Sequence, residues 1–354
     1  MSATHALPAR TRDPNALRPI GGFFARHEPD GLAHGPSVLE TWIGGGCFTA
    51  FVNARSAFAA LVAHFPEASV WLPAFLCGDL GQAVEPRRVR FYPVLEGFEP
   101  DLARVETEAR PGDIVLVAAH FGLPIATRTR EALARRPDLR VVEDRAQALG
   151  PGLGAGAGWR LYSPRKLLGV ADGGVLVAHD RADLPPDPVA APDSAALWTA
   201  PRLRADDPLG SRNTEWHAAN QVKEAAMGIA AERMTDLSLS ILSSTSLASL
   251  SGPRLANWRA LDASLRPWSA LPAAPAAPPL GYVLRLAPLT RDRVLRGLHA
   301  QRIFAAVHWP RIAAPPEDFP RETGWTRELL TLPCDHRYGA DDMARVASAV
   351  EALL

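Results

Sequence analysis

Asp113 to Ala119 reads DIVLVAA behind Gly112, with no polar side chain after the aspartate. A strand with one wet face would alternate. An unbroken apolar run of this length fits a strand covered on both faces, the kind found in parallel sheets packed between helices. The neighbouring segments agree. Ser56 to Phe65 carries apolar residues at helical spacing, and Val70 to Leu72 is a short apolar run closed by Pro73. Thr129 to Arg136 reads as a helix and Leu139 to Glu143 as the next strand, while Gly173 to Ala178 is a further strand opened by a Gly-Gly pair. This alternation predicts an α/β fold with a mostly parallel central sheet flanked by helices.

The rest of the chain divides around that sheet. Residues 1–36 are polar and rich in Pro, Gly and His, and read as a partly ordered arm. Asp183 to Pro208, rich in Pro, Ala and Asp, reads as a surface excursion. Glu215 to about Leu265 reads as helical, with a break near Ser251-Gly252-Pro253. Pro267 to Pro279 reads as a linker. Beyond it Tyr282 to Leu286 alternates like a strand, and Thr290–Gln301 and Met343–Leu354 read as helices. The expected division is an arm (1–36), a large domain (37–265) and a small C-terminal α+β domain (266–354), which suits a chain of 354 residues.

Charge and cysteine usage exclude several roles. Basic and acidic side chains number 38 each, so no general field favours nucleic acid or an anionic membrane. No apolar stretch is long enough to span a bilayer, and Met1 to Arg18 lacks the apolar core of a signal peptide. A cytoplasmic protein is expected. Cys47, Cys77 and Cys334 are odd in number and scattered, which suggests neither a disulfide framework nor a metal cluster.

Three local features lie at predicted strand ends. Asn53-Ala54-Arg55-Ser56 opens a helix, where backbone N–H groups and the helix dipole favour an anion; Arg55 and Ser56 add donors. The ordinary alternative is a plain helix cap. Glu143-Asp144-Arg145-Ala146-Gln147 follows the strand LRVV, at the edge where ligands of such sheets bind. Ser163-Pro164-Arg165-Lys166 precedes Gly173-Gly174. Lys166 is the sole lysine before Lys223 in a chain that otherwise uses arginine, which suits a task a guanidinium cannot perform, such as forming an imine. A lysine for an aldehyde, a carboxylate for a ring nitrogen and anion donors for a phosphate are together the needs of pyridoxal 5′-phosphate, PLP. The run Gly150 to Gly158 superficially suggests a dinucleotide site, but it lies mid-sheet and precedes a strand, and reads as a connection.

From about Phe48 onward the sequence resembles the DegT/DnrJ/EryC1/StrS family of PLP-dependent sugar aminotransferases, of fold type I. Asn53 to Ala57 is similar to the family's phosphate-binding turn. Leu72 to Cys77 is similar to the segment that places a residue over the PLP ring. His120-Phe121-Gly122-Leu123-Pro124 resembles a family turn, and Glu143 to Gly150 the family's EDaAqalG. Lys166 with Gly173-Gly174 matches the Schiff-base lysine and its following glycines. Glu232 to Leu237 is similar to a helix start near the family's dimer interface. The resemblance implies Lys166 and Asp144 as catalytic residues, and Ala54, Arg55, Ser56, Cys77, Asp144, Gln147, Ser163 and Lys166 as PLP contacts. Asp144 would meet the pyridine nitrogen and Gln147 the ring hydroxyl.

Four positions depart from that pattern. Leu161 stands where the family has a phosphate-binding serine, Ala231 where an asparagine reaches the partner subunit, Cys77 where an aromatic residue stacks, and Asp172 where a glutamate precedes the glycines. A lost charge-assisted hydrogen bond costs about 1.5–3 kcal/mol unless replaced, with Ser163, Arg165 and Arg55 as candidate replacements. His308-Trp309 and Asp335 to Tyr338 could face a substrate, and are read as structural. The resemblance implies transamination: Lys166 moves a proton, an amino acid (Glu or Gln) donates nitrogen, and a keto acceptor such as a nucleotide-linked keto sugar receives it, in a homodimer. The alternatives are a non-catalytic protein of the same fold, or another PLP reaction such as deoxysugar dehydration, in whose enzymes a histidine replaces the lysine.

Overall fold

The computed structural model describes residues 18–28, 35–152, 158–273, 275 and 277–354. Most of the glycine run between Gly150 and Gly158 lies outside the described residues, as does most of the 1–36 arm.

The centre of the fold is a seven-stranded sheet. Its strands are β2 (Cys47–Phe51), β3 (Val70–Pro73), β4 (Val89–Tyr92), β5 (Ile114–Ala118), β6 (Arg140–Asp144), β7 (Trp159–Tyr162) and β8 (Gly174–Ala178), in the spatial order β2-β8-β7-β6-β5-β3-β4. From β7 across to β4 every pairing is parallel; β8 alone runs against both its neighbours. Ile114, Val115, Leu116 and Val117 are wholly buried, as the apolar run predicts. The register Ala118↔Asp144↔Leu161 sets three strand ends side by side.

Helices cover both faces. α1 (Val38–Ile43) is closed by a capping box: Glu40 N–H donates to the Ser37 hydroxyl at 3.1 Å, and Ser37 N–H to the Glu40 carboxylate at 2.8 Å. Its Trp42 stacks on Tyr162 at 4.3 Å. α2 (Ala54–His64) begins at Asn53, whose side-chain oxygen accepts from Ser56 N–H at 2.9 Å. α3 (Thr127–Ala134) lies two residues before its predicted span.

Two expectations are corrected. The excursion predicted over Asp183–Pro208 contains α4 (Ser194–Ala205), started by Asp193 and anchored by the wholly buried Trp198. Its Pro and Ala content hid one buried face. The helical stretch is broken elsewhere than predicted. It forms α5 (Asn213–Ala226), α6 (Asp236–Ser244) and α7 (Leu247–Leu265), and α7 runs straight through Ser251-Gly252-Pro253. Gly252 and Pro253 sit on the exposed face, while Leu250, Arg254, Asn257, Trp258, Leu261 and Leu265 pack inward. Packing of that face outweighs the backbone hydrogen bond lost at proline.

The C-terminal segment pairs β9 (Tyr282–Arg285) antiparallel with β11 (Leu329–Leu332), packed with α8 (Pro288–Ala300) and α9 (Ala340–Glu351). Trp258, Leu261 and Leu265 of α7 belong to this core, so the packing boundary falls within α7. The described part of the arm is tied down. β1 (Ile20–Gly21) pairs with β10 (Ile303–Phe304), and Gly21 N–H donates to the Tyr338 hydroxyl at 2.7 Å. Arg204 and Arg337 hold the carbonyls of Gly21, Gly22 and Phe23.

Candidate active site

The sheet ends converge on a cavity of about 340 Å³. Asn53, Ala54 and Arg55 reach it from the turn after β2, Cys77 from the turn after β3, Ala118 to His120 from β5, Asp144, Ala146 and Gln147 from β6, and Ser163, Arg165 and Lys166 from the turn after β7. Side chains alternate along a strand, so Glu143 and Asp144 face opposite ways. Glu143 is spent on Arg145 at 2.5 Å, and Asp144 lines the cavity.

Asp144 is the buried acid of the site. Ala146 N–H donates to its Oδ1 at 2.8 Å, and among the described residues Oδ2 has no hydrogen-bond partner. Burial raises its pKa above the ordinary carboxylate value, against the opposing pull of Lys166 and the Ala146 N–H. Lys166 ends a single turn, Pro164–Lys166, and is half-buried at the cavity wall. Gln147 is fixed by Phe121 N–H, which donates to its oxygen at 2.6 Å; its buried Nε2 then has no partner. His120 donates from Nε2 to Phe75 O at 2.7 Å, leaving Nδ1 unpartnered, and burial lowers its pKa.

The Gly-Gly pair shapes this edge. Gly173 has φ +127°, and a Cβ on Gly174 would lie 2.2 Å from the Asn53 carbonyl carbon. β8 can therefore meet the start of α2 only without a side chain.

Of the sequence-predicted contacts, Ala54, Arg55, Cys77, Asp144, Gln147, Ser163 and Lys166 line the one cavity. Ser56 does not. It is buried, its hydroxyl donating to Asn53 Oδ1 at 3.2 Å and accepting from Ala230 N–H at 3.0 Å. The expected replacement donors are mostly committed. Arg165 is paired with Glu224 at 2.5 Å and Arg55 is bonded to Met227 O. Ser163 lines the cavity, and the buried Arg165 Nε has no partner among the described residues. Leu161 is wholly buried in the wall. Asp172 takes a structural part, binding Thr235 N–H and hydroxyl at 2.7 Å each and so anchoring the start of α6.

Sequence reasoning missed Asn220 and Glu224, brought in by α5, and Phe23 of the arm. It also assigned His308 and Trp309 to structure. Trp309 and His120 line this cavity with ring centroids 6.2 Å apart, supplying aromatic surface where Cys77 has none. His308 lines an adjoining cavity with Asp335 and Arg337. No local pattern marks these residues; long-range packing brings them together.

PLP fits this donor set. Gln147, Arg165 and Asn220, each with an unpartnered buried polar atom, line the same cavity as Asp144 and Lys166. Unsatisfied buried polar groups are rare and call for a partner. Among the described residues no cluster suited to a metal ion occurs.

Sheet order, the single antiparallel strand and a carboxylate and lysine on neighbouring strand ends define a fold-type I PLP-dependent transferase fold. Within that class, the chain has the fold of the DegT/DnrJ/EryC1/StrS aminotransferases. A member of that family from Brucella abortus superposes with a TM-score of 0.62 at 16% identity, covering 89% of this chain and 87% of that one. DesV from S. venezuelae gives 0.65 at 20%, covering 90% of each chain. Spr1654 from Streptococcus pneumoniae in its PLP form gives 0.63 at 13%, covering 95% and 100%. No protein-family model matches the chain. No curated protein matches it either.

Proposed function

We propose that the protein is a PLP-dependent aminotransferase that moves an amino group from an amino acid to a keto acceptor. The observation that carries this is the meeting of Asp144, Gln147 and Lys166 in one buried cavity, each presenting a side-chain group to it. Bound there, PLP supplies an electrophilic aldehyde and an electron-accepting ring. Lys166 provides the amine for the aldehyde. When free, the same amine would carry the proton from the substrate Cα to the former aldehyde carbon on the other side of the shared nitrogen. Asp144 holds a proton on the ring nitrogen, and Gln147 donates to the ring hydroxyl. Ser163, Arg165 Nε and the first turn of α2 hold the phosphate, with Ala54 and Arg55 as its backbone. Cys77, His120 and Trp309 enclose the ring and exclude water.

The finer assignment is a nucleotide-linked keto sugar as acceptor, Glu or Gln as donor, and a cytoplasmic homodimer. The fold relatives support a sugar acceptor. Three free cysteines suit a reducing compartment. Val222 on α5 and Ile229 just beyond it, both exposed, suit a covered subunit face. Among the described residues no helix is long and apolar enough to cross a membrane.

The test is borohydride reduction of the protein mixed with PLP, followed by peptide mass spectrometry, then an amino-donor screen. A reduced PLP adduct on Lys166 and donor-dependent conversion of the cofactor's absorbance are expected. The buried Leu161 in the serine position favours a second reading, a non-catalytic protein of this fold, and absence of the adduct at saturating PLP would select it.

A further inference from the structure

Lys166 and Lys223 are the only lysines in the chain. Lys166 lines the cavity, and Lys223 lies on α5 next to Glu224, which lines it too. The end of α5 and the turn behind it pack on the first turn of α2. Arg55 is bonded to Met227 O, Asn53 Nδ2 donates to Gly228 O at 2.8 Å, and Ser56 Oγ accepts from Ala230 N–H at 3.0 Å. Glu224 thus brings a carboxylate to the end of the cavity where Arg165, Ser163 and the start of α2 offer donors to a phosphate.

A carboxylate there repels a phosphate dianion. It is also held between two cations. Glu224 Oε1 lies 2.5 Å from Arg165 Nη1 and 3.4 Å from Lys223 Nζ. The Lys223 contact is at the outer limit of a hydrogen bond, and so is the contact of Nζ with Ala171 O, at 3.4 Å. Yet the Lys223 side chain is only 7% exposed. A buried ammonium with long contacts alone is poorly compensated. Arg165 is in the converse position. Its Nη1 is spent on Glu224, while its buried Nε has no partner among the described residues. One carboxylate is therefore within reach of two cations, fully bonded to the one that a phosphate needs and barely bonded to the one that needs it.

We propose that Glu224 is an exchangeable counter-ion: it competes with a phosphate monoester for Arg165, and passes to Lys223 when the phosphate takes Arg165. This rests on the PLP reading above and deepens it. Glu224 and Lys223 touch neither the ring nor the substrate in this scheme. They set how tightly the phosphate end of the cofactor is kept.

The probes are inorganic phosphate, titrated into the unloaded protein by calorimetry, and PLP and pyridoxal, titrated by absorbance. Pyridoxal has the same ring and aldehyde without the phosphate. Glu224→Gln keeps the shape and removes the charge. It is expected to bind phosphate and PLP about tenfold more tightly, with pyridoxal unchanged. Lys223→Met removes the second station and is expected to weaken both phosphate and PLP about tenfold. In the double variant that loss should vanish, because no carboxylate remains to be relocated. Unchanged or weaker phosphate binding by Glu224→Gln overturns the proposal, and so does an equal gain for pyridoxal. A Lys223→Met loss that persists in full in the Glu224→Gln background overturns it as well, since a cation acting on phosphate from a distance needs no Glu224. If Lys223→Met fails to fold, Glu224→Gln alone decides. The PLP adduct on Lys166 is scored separately. If it forms and Glu224→Gln leaves phosphate binding unchanged, only this inference falls. If it does not form, the PLP reading falls, and the phosphate titration on the unloaded protein still decides the exchange.

Discussion

Lys166 and Asp144 differ in what their replacement should do. Lys166→Ala removes the attachment point, so the borohydride-reduced adduct and the transamination should both disappear. Asp144→Asn keeps the shape and the bond from Ala146 N–H but loses the charge opposite the ring nitrogen. The adduct should still form while turnover falls about 100-fold to 1,000-fold. Unchanged turnover in Asp144→Asn would remove the aspartate from the mechanism. His308 gives a stability prediction. Burial, with a smaller contribution from Lys166, holds its imidazole pKa down to about 3, against 6.5 for the free side chain. The unfolded chain therefore takes up this proton first as the pH falls. The stability it contributes is complete above pH 6.5 and is lost from 6.5 down toward 3. At pH 5 the loss from His308 alone is about 2 kcal/mol. Urea melts at pH 7.5 and pH 5 should show His308→Gln losing about 2 kcal/mol less than the unaltered protein between the two. Equal losses would show that the ring is not held neutral by burial.

The contact between β8 and the start of α2 is the junction on which the phosphate end of the site depends. Gly174→Ala puts a methyl group 2.2 Å from the Asn53 carbonyl carbon, where only backbone can yield. It should cost about 3 kcal/mol and weaken PLP retention, both read from thermal melts with and without PLP. Asn53→Ala removes the cap of α2 and the bond from Nδ2 to Gly228 O at 2.8 Å. About 1 kcal/mol of stability should be lost. A variant at either position with native stability and native PLP retention would mean that this junction does not hold the site. α7 shows why an element can be misread. Ser251-Gly252-Pro253 has the local chemistry of a break, and six inward-facing residues carry the helix through it.

For the assembled protein, sedimentation at micromolar concentration should give twice the 38.0 kDa of one chain, and Val222→Asp should shift it toward the monomer. A monomer at that concentration would discard the proposed homodimer. Distant parts of the chain meet at the site: the strand ends of the seven-stranded sheet supply Asp144 and Lys166, the C-terminal segment Trp309 and Arg337, and the N-terminal segment Phe23. The sheet was legible in the sequence, because a strand buried on both faces must be apolar throughout and DIVLVAA has no other comfortable place. That Asp144, Gln147 and Lys166 would line one cavity was legible as well, since each sits in a short motif beside a strand end. Ser56 was misplaced because a helix cap and an anion site use the same residue types, and only the position of Ala230 shows which partner the hydroxyl takes. Asn220, Glu224 and Trp309 left no local mark. Their chemistry depends on what lies across the cavity, and that proximity is created by the packing of α5 and the C-terminal segment against the sheet, over separations that no spacing along the chain encodes.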